Sequence, residues 1–222
     1  MEQLHSPSKW GRWHSYVSLL ALFVVLGAVL RAALWLKTGG QAPWSLALAA
    51  QVFGVGLVYD LLAGASLLMP LMLFLAVVPA KWLARRGFRI LMAAGMVAWV
   101  ALMLFIGISE WIFWDEFGSR FNFIAVDYLL YTHEVIGNIR ESYPVGVILS
   151  VLALVATALV WRGRRVLVPR SDHGLPRWVR WGLPVVVVGA VSMAHAVVDG
   201  HWKDQSNNRY VNALSGDGVY EF

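Results

Sequence analysis

The chain has 222 residues, of which 59% are hydrophobic and 14% are charged, and its formal net charge is +5. Five long apolar runs account for this composition, and a water-soluble domain could not bury all of them, so an integral membrane protein is indicated. Cysteine is absent, which excludes thiolate metal sites within the chain, and no phosphate-cradling glycine loop is found.

The five runs predict an all-α membrane protein, a bundle of five transmembrane helices within residues 1–198. A bilayer core about 30 Å thick takes roughly 20 apolar residues of helix to cross. The first and third runs meet this length comfortably, and the fourth and fifth are near its lower limit. The predicted spans are 15–36, 61–78, 88–109, 145–161 and 182–198.

Lysine and arginine residues are concentrated on alternate sides of these runs. The segments 1–14, 80–89 and 162–180 hold most of the 18 basic residues, whereas the other segments hold nearly all the acidic ones. The positive-inside rule then predicts a cytoplasmic N-terminus and an external C-terminus. The basic charge balance therefore reports membrane topology, and no nucleic-acid partner is expected.

Two features of the second apolar region carry predictions of their own. Residues 43–58 are apolar but precede an already complete span, which predicts a short helix lying at the outer interface and anchored by Trp44. Pro70 lies in the middle of the span and predicts a kink there, since neighbouring helices can satisfy the backbone groups that it frees.

The outer connection between the third and fourth spans is long and apolar. Its helical periodicity predicts an interfacial amphipathic helix over about 122–142. One face of that helix is polar, and two interpretations stay open: a solvated surface, or a docking face for another domain or a cation-bridged contact. The residues of this face are Asp127, Glu134, Asn138 and Glu141.

Four ionisable residues are predicted at one depth, near the outer ends of the spans: Arg31, Asp60, Glu110 and His195. Charged groups inside a membrane are costly, so they usually pair or face a polar cavity. We predict a head-group pocket in which Arg31 pairs with Asp60 or Glu110 and can meet a lipid phosphate. The alternative is that these side chains extend to interfacial water, and His195 is the weakest candidate of the four.

No catalytic constellation is found. The six histidines do not form a metal-ligand spacing such as His-Glu-x-x-His, and the serines lack a nucleophile-elbow sequence. We therefore expect neither a catalytic residue nor a metal or other cofactor in this chain.

Residues 199–222 form a predicted external tail. Asn208 can cap a short helix, and the following Ser-Gly-Asp-Gly sequence is typical of a turn. So short a segment cannot build a core of its own. The tail is therefore expected to lead into an external domain.

Three segments carry a resemblance to a known family, which extends over essentially the whole chain. They are GLVYDL at 56–61, FGSRFNFIAVDYLLYTHEVIGNIRESYP at 117–144 and NRYVNALSGDGVYEF at 208–222. These segments resemble Gram-negative members of the lipoteichoic acid synthase-like family, whose catalytic domain belongs to the sulfatase/alkaline phosphatase superfamily.

The resemblance implies five N-terminal spans followed by an extracytoplasmic domain. That domain uses a threonine nucleophile and a divalent metal, typically manganese, to transfer phosphoglycerol or a related head group such as phosphoethanolamine. None of its catalytic residues can be assigned to this chain. The implied role here is to anchor the catalytic domain and present phospholipid to it.

The implied location is the bacterial inner membrane, with a periplasmic C-terminus. The expected partners are phospholipids and an extracytoplasmic catalytic domain, either the chain's own or a partner's, and homo-oligomers are possible. The alternative is a stand-alone five-span protein that binds lipid or assists assembly without catalysis.

Overall fold

The computed structural model of the chain describes residues 11–122, 125, 137, 139–169 and 176–221. All regular structure in these ranges is helical. The elements are α1 (Trp13–Lys37), α2 (Leu46–Leu67), α3 (Met69–Val77), α4 (Ala80–Leu83), α5 (Arg86–Phe117), α6 (Val145–Arg162), α7 (Arg164–Leu167), α8 (Arg177–Val197), a 3₁₀ turn (Gly200–Lys203), α9 (Arg209–Ser215) and α10 (Gly218–Glu221).

Five of these helices are long and apolar enough to cross a membrane. They are α1, α2, α5, α6 and α8, with mean hydropathies from 1.4 to 2.4 in their most apolar stretches. The prediction of an all-α membrane protein with five candidate spans is confirmed at this level. The bounds of the fourth span agree closely, since 145–161 was predicted and α6 is Val145–Arg162.

The second helix differs from the prediction. It begins at Leu46, where the Ser45 hydroxyl accepts a hydrogen bond from the Leu48 N–H, and it continues unbroken to Leu67. The separate interfacial helix predicted at 43–58 is therefore wrong. No residue in this stretch interrupts the helix, and Trp44 stacks on Trp35 of α1 with ring centroids 4.4 Å apart.

The kink predicted at Pro70 is confirmed. Helix α2 ends at Leu67, α3 begins at Met69, and Pro70 lies in the first turn of α3. Proline is tolerated there because its missing N–H is one that the first turn leaves unpaired anyway. The broken second helix therefore consists of α2 and α3 in sequence.

Both the α2–α3 pair and α5 are longer than a bilayer core. Helix α5 has 32 residues, which is about 48 Å of helix, against a hydrocarbon thickness of about 30 Å. The predicted third span, 88–109, covers only part of it. Helix α5 ends at Gly118, whose φ of 63° is the left-handed conformation that glycine adopts readily.

Three buried clusters hold the described helices together, the smallest formed by Tyr59, Leu62 and Val198. The largest lies among α1, α3, α5 and α6 and includes Leu19, Met72 and Met96. The second, which we call the collar, joins α1, α2 and α5 to α9 of the tail. The collar residues are Leu34, Trp35, Ala42, Val52, Trp114, Val211 and Leu214.

The two ends of the bundle differ in charge. At the end opposite the collar, which we call the basic end, Arg12 and Arg180 donate hydrogen bonds to backbone carbonyls at the close of α3. The guanidiniums there offset the unpaired carbonyls and the negative dipole of a helix C-terminus. The end that carries the collar and residues 199–221 is called the tail end.

Most of the amphipathic helix predicted over 122–142 lies outside the described residues. Ala125, Gly137 and residues 139–142 have helical backbone. Of the predicted polar face, Asp127, Glu134 and Asn138 lie outside the description, and Glu141 is exposed. The docking-face hypothesis therefore stays a prediction.

Candidate functional site

An ion pair joins the first two membrane helices near the tail end. Arg31 of α1 donates to both carboxylate oxygens of Asp60 of α2, with N···O distances of 2.8 and 2.7 Å. Both side chains are 1% exposed. This two-pronged geometry is among the stronger forms of charge-assisted hydrogen bond. Of the two acidic partners predicted for Arg31, the structure pairs it with Asp60.

The pair lies at a consistent depth in both helices. Arg31 is about 27 Å along α1 from Trp13, and Asp60 is about 26 Å from the end of α3 at Val77. Counted from the basic end, both positions fall within the roughly 30 Å that a hydrocarbon core takes. At that depth an unpaired charge would be costly, which explains why the two groups meet each other.

Arg31 also holds the tail. Its Nε donates to the carbonyl of Leu214 at 2.8 Å, and Nη2 donates to the carbonyl of Gly216 at 3.2 Å. A guanidinium has five N–H groups, so four are used by protein acceptors. The predicted head-group pocket around Arg31 is closed in this structure, because its guanidinium is buried and occupied.

A second buried arginine lies beside the first. Arg120, just beyond α5, donates from Nε to Glu110 at 2.6 Å and from Nη1 to the Gly216 carbonyl at 2.7 Å. Its Nη2 is 3.5 Å from Asp217 of the tail. Burial lowers the pKa of Arg120, but the adjacent Glu110 and Asp217 carboxylates outweigh burial and raise the pKa overall. Arg120 therefore stays charged.

The two arginines share one acceptor. The Gly216 carbonyl receives hydrogen bonds from both Arg31 and Arg120, which links the two ion pairs into one unit. We call this unit the ion-pair network. Its members are Arg31, Asp60, Glu110, Arg120 and Asp217.

Two glycines make room for the network. A Cβ on Gly56 of α2 would overlap the guanidinium of Arg31. A Cβ on Gly218 of the tail would lie 2.6 Å from the carboxyl carbon of Glu110. Side chains at either position would displace the buried charges, so close backbone approach is a condition for the network to form.

Further contacts fix the tail. Asn208 caps α9 through its side-chain oxygen and donates from Nδ2 to the Gln41 carbonyl at 2.6 Å. Asp217 accepts hydrogen bonds from the Val219 and Tyr220 N–H groups. The predicted cap is present, whereas Ser215 and Gly218 of the predicted turn lie in α9 and α10, with a bend at Gly216 between the two helices. The tail is thus a folded piece packed on the bundle.

His195 lies apart from the ion-pair network. Its Nε2 is 3.0 Å from the hydroxyl of Ser66, and its ring stacks on Tyr220 with centroids 5.0 Å apart. Tyr220 also donates to the carbonyl of Val198. Of the four predicted pocket residues, the structure therefore joins Arg31, Asp60 and Glu110 in one network and leaves His195 at the margin of the tail.

Sequence reasoning missed two members of the network. The sequence predicts no role for Arg120, and it predicts Asp217 only as part of a turn. One signal was available: Asp60 and Glu110 both lie at membrane depth, so Arg31 alone leaves one carboxylate without a cation. A second buried base had to come from a neighbouring segment.

The network has no evident catalytic chemistry. Its carboxylates are committed to guanidiniums, and the described part of the chain contains no group of three or more metal-ligating side chains. No protein-family model, curated protein or solved structure matches this chain. Any functional proposal therefore depends on the geometry described above and on the resemblance of the three segments.

Proposed function

We propose that this chain is the membrane-anchoring and lipid-presenting domain of a lipoteichoic acid synthase-like phosphoglycerol or phosphoethanolamine transferase. Catalysis would belong to a sulfatase-like extracytoplasmic domain reached through the tail, and the divalent metal, expected to be manganese, would bind there. The observation that carries the proposal is the attachment of the tail to the bundle by the buried ion-pair network.

A segment that merely tethers a domain needs no buried charges. Here Arg31 and Arg120 bind backbone carbonyls of the tail while they neutralise carboxylates of the spans. Removing one partner of a buried ion pair typically costs about 3–5 kcal/mol. Separating such partners is costly, which suits a rigid joint that would hold a following domain at a fixed height and rotation over the bilayer.

A fixed joint is useful for chemistry on lipid head groups. The reacting phosphate lies at a set depth in the membrane, and a catalytic group must be held close to it in a near-attack geometry. The bundle would supply that reference frame. Lipid presentation would then fall to the surface of the tail end, since the Arg31 guanidinium is already occupied by protein acceptors.

The charge distribution supports an orientation for this proposal. The basic end carries exposed arginines of α5, α6 and α7, whereas Asp115 and the acidic residues of the tail lie at the other end. By the positive-inside rule, the basic end would face the cytoplasm of the bacterial inner membrane and the tail would be periplasmic.

The first test is the size of the native protein in its own membranes, measured by immunoblot with an antibody against residues 199–209. We expect a band several tens of kilodaltons above the 24.7 kDa of this chain. A band at the size of the chain would contradict the transferase proposal and would favour a stand-alone lipid-binding or assembly protein.

The second test asks whether the joint matters to the chemistry. Arg120→Gln in the full-length protein should slow head-group release from phosphatidylglycerol vesicles but not from a water-soluble phosphodiester, because only the vesicle reaction needs the anchor. Arg140→Gln, which changes an exposed arginine of the same outer connection, is the matched control. Equal rates for both variants on vesicles would contradict the positioning role.

A further inference from the structure

The basic end contains a cavity that the proposed anchoring role does not use. It has a volume of about 470 Å³ and lies between the start of α5 and the α6–α7 junction. A smaller cavity of about 300 Å³ adjoins it and is lined in part by Trp161. Four arginines from the two sides line the larger cavity: Arg86, Arg89, Arg164 and Arg165.

The charge of the cavity is of one sign. Among the described residues that line it, none is acidic. The contrast with Arg12 and Arg180 is informative, because those two guanidiniums at the same end bind backbone carbonyls of the fold. The cavity arginines are instead exposed, so their positive charges converge on an open space that an anion would neutralise.

Exposed apolar side chains adjoin the cavity. Ile90, which lines it, is 63% exposed, and Trp161 at its smaller neighbour is 68% exposed. Exposed apolar surface beside a basic site suits a ligand with both a charged head and hydrocarbon chains. The start of α5 also opens on this side without a side-chain cap, and its backbone N–H groups favour a phosphate.

We propose that this cavity binds the head group of an anionic phospholipid, with its acyl chains beside Ile90 and Trp161. Basic pockets between membrane helices on the cytoplasmic side are known to recognise such head groups. Four guanidiniums match a lipid that carries two phosphates, such as cardiolipin, better than one that carries a single phosphate. The site differs in place and in charge from the ion-pair network at the tail end.

A general positive surface makes a different prediction from a defined cavity. If charge alone attracted lipid, every exposed basic residue at this end would contribute equally. If the cavity binds the head group, arginines that line it contribute much more than neighbours that do not. Lys81 and Arg85 are exposed basic residues of the same end that do not line either cavity.

The test is a lipid titration of the purified 222-residue chain in neutral detergent, followed by native mass spectrometry, with cardiolipin, phosphatidylglycerol and phosphatidylcholine as probes. Cardiolipin should bind most tightly and phosphatidylcholine least. Arg89→Gln combined with Arg165→Gln should weaken cardiolipin binding about 25-fold, which is about fivefold for each arginine. The matched control, Lys81→Gln with Arg85→Gln, removes the same charge outside the cavities and should weaken cardiolipin binding clearly less than the cavity pair does.

Two results would overturn the proposal. Equal weakening by the cavity pair and the control pair would show diffuse attraction to the surface. Tight binding of glycerol phosphate, with no gain from acyl chains, would show a soluble-phosphate site instead of a lipid site. Unfolding temperatures verify that the variants are folded. If the double variant is not folded, Arg165→Gln alone replaces it, with an expected loss of cardiolipin affinity of about fivefold.

Discussion

Arginines at the two ends of the bundle are in opposite environments. At the tail end, Arg31 and Arg120 are 1% and 3% exposed, and both are bound by carboxylates and backbone carbonyls. At the basic end, Arg89 and Arg165 are exposed and face a cavity without a carboxylate among its described lining residues. Arg31 and Arg120 therefore bind the fold together, whereas Arg89 and Arg165 remain open to an anion, unlike Arg12 and Arg180 of the same end, which bind backbone carbonyls.

The distribution of acids explains the difference. A guanidinium can be buried only where a partner offsets the loss of hydration, and a lone buried charge is unfavourable by several kcal/mol. Asp60, Glu110 and Asp217 supply partners at the tail end. None of the described residues that line the cavity is acidic, and its arginines are exposed.

The largest effect should come from removing the guanidinium of Arg31. Arg31→Leu leaves Asp60 buried without its cation and removes the donor of the Leu214 carbonyl, while the Gly216 carbonyl keeps its hydrogen bond from Arg120. We expect the free energy of unfolding to fall by about 3–5 kcal/mol. The measurement is equilibrium unfolding in mixed micelles, followed by helix content.

The double variant Arg31→Leu with Asp60→Leu separates the bundle from the tail. Replacing a buried pair by apolar side chains is often nearly neutral, so bundle stability should largely recover. The Leu214 carbonyl of the tail still lacks its donor, and trypsin should cut after Lys203 or Arg209 faster than in the unmodified chain. If the double variant were as unstable as the single one, the pair would not be the source of the loss.

A smaller effect is expected from filling the space beside Arg31. Gly56→Ala places a methyl group where the guanidinium lies, and overpacking of this kind costs about 1–3 kcal/mol. Gly54→Ala is the matched control, since nothing lies within 4 Å of its added Cβ. Alanine favours helix by up to about 1 kcal/mol over glycine, so the control should be neutral or stabilising. Equal unfolding midpoints for the two variants would contradict the close approach at Gly56.

The sequence predicted the spans better than the connections, for a physical reason. Crossing a bilayer requires a long apolar run, which is a local property, and α6 was therefore placed almost correctly. The prediction for residues 43–58 is wrong because hydropathy does not distinguish an apolar stretch that belongs to a long membrane helix from one that forms a separate helix along the surface. Packing of α2 against Trp35 and the collar decides between the two.

The sequence predicts members of the network only where their position along the membrane helices brings them to the same level. Arg31, Asp60 and Glu110 share a depth that the spans imply, and so their meeting could be expected. Which carboxylate faces Arg31 depends on helix rotation, which no local pattern specifies. The contacts of Arg120 with Gly216 and Asp217 join residues 96 and 97 positions apart. Such contacts arise only when the tail folds back on the bundle.

The stability of the chain should depend on pH through Glu221, which lies at the margin of the tail and outside the ion-pair network. Glu221 pairs with Lys203, but burial outweighs that pair and raises the pKa of Glu221 above its ordinary value of 4.5. Its contribution to stability is therefore complete below pH 4.5 and is lost as pH rises through the raised pKa. Glu221→Gln should remove this step while changing stability at neutral pH by about 1 kcal/mol or less. Unfolding midpoints of the unmodified chain and of Glu221→Gln should change with pH at different slopes. Parallel profiles would refute the assignment of this pH dependence to Glu221.

The smallest effect on stability should come from the basic end. Arg89→Gln removes a positive charge, as Arg31→Leu does, yet Arg89 is exposed and faces an open cavity. Exposed substitutions usually change the free energy of unfolding by no more than about 0.5 kcal/mol. The same variant should nevertheless weaken cardiolipin binding about fivefold. A large loss of stability without a loss of binding would reverse the comparison, since it would make Arg89 a part of the fold and not of a ligand site.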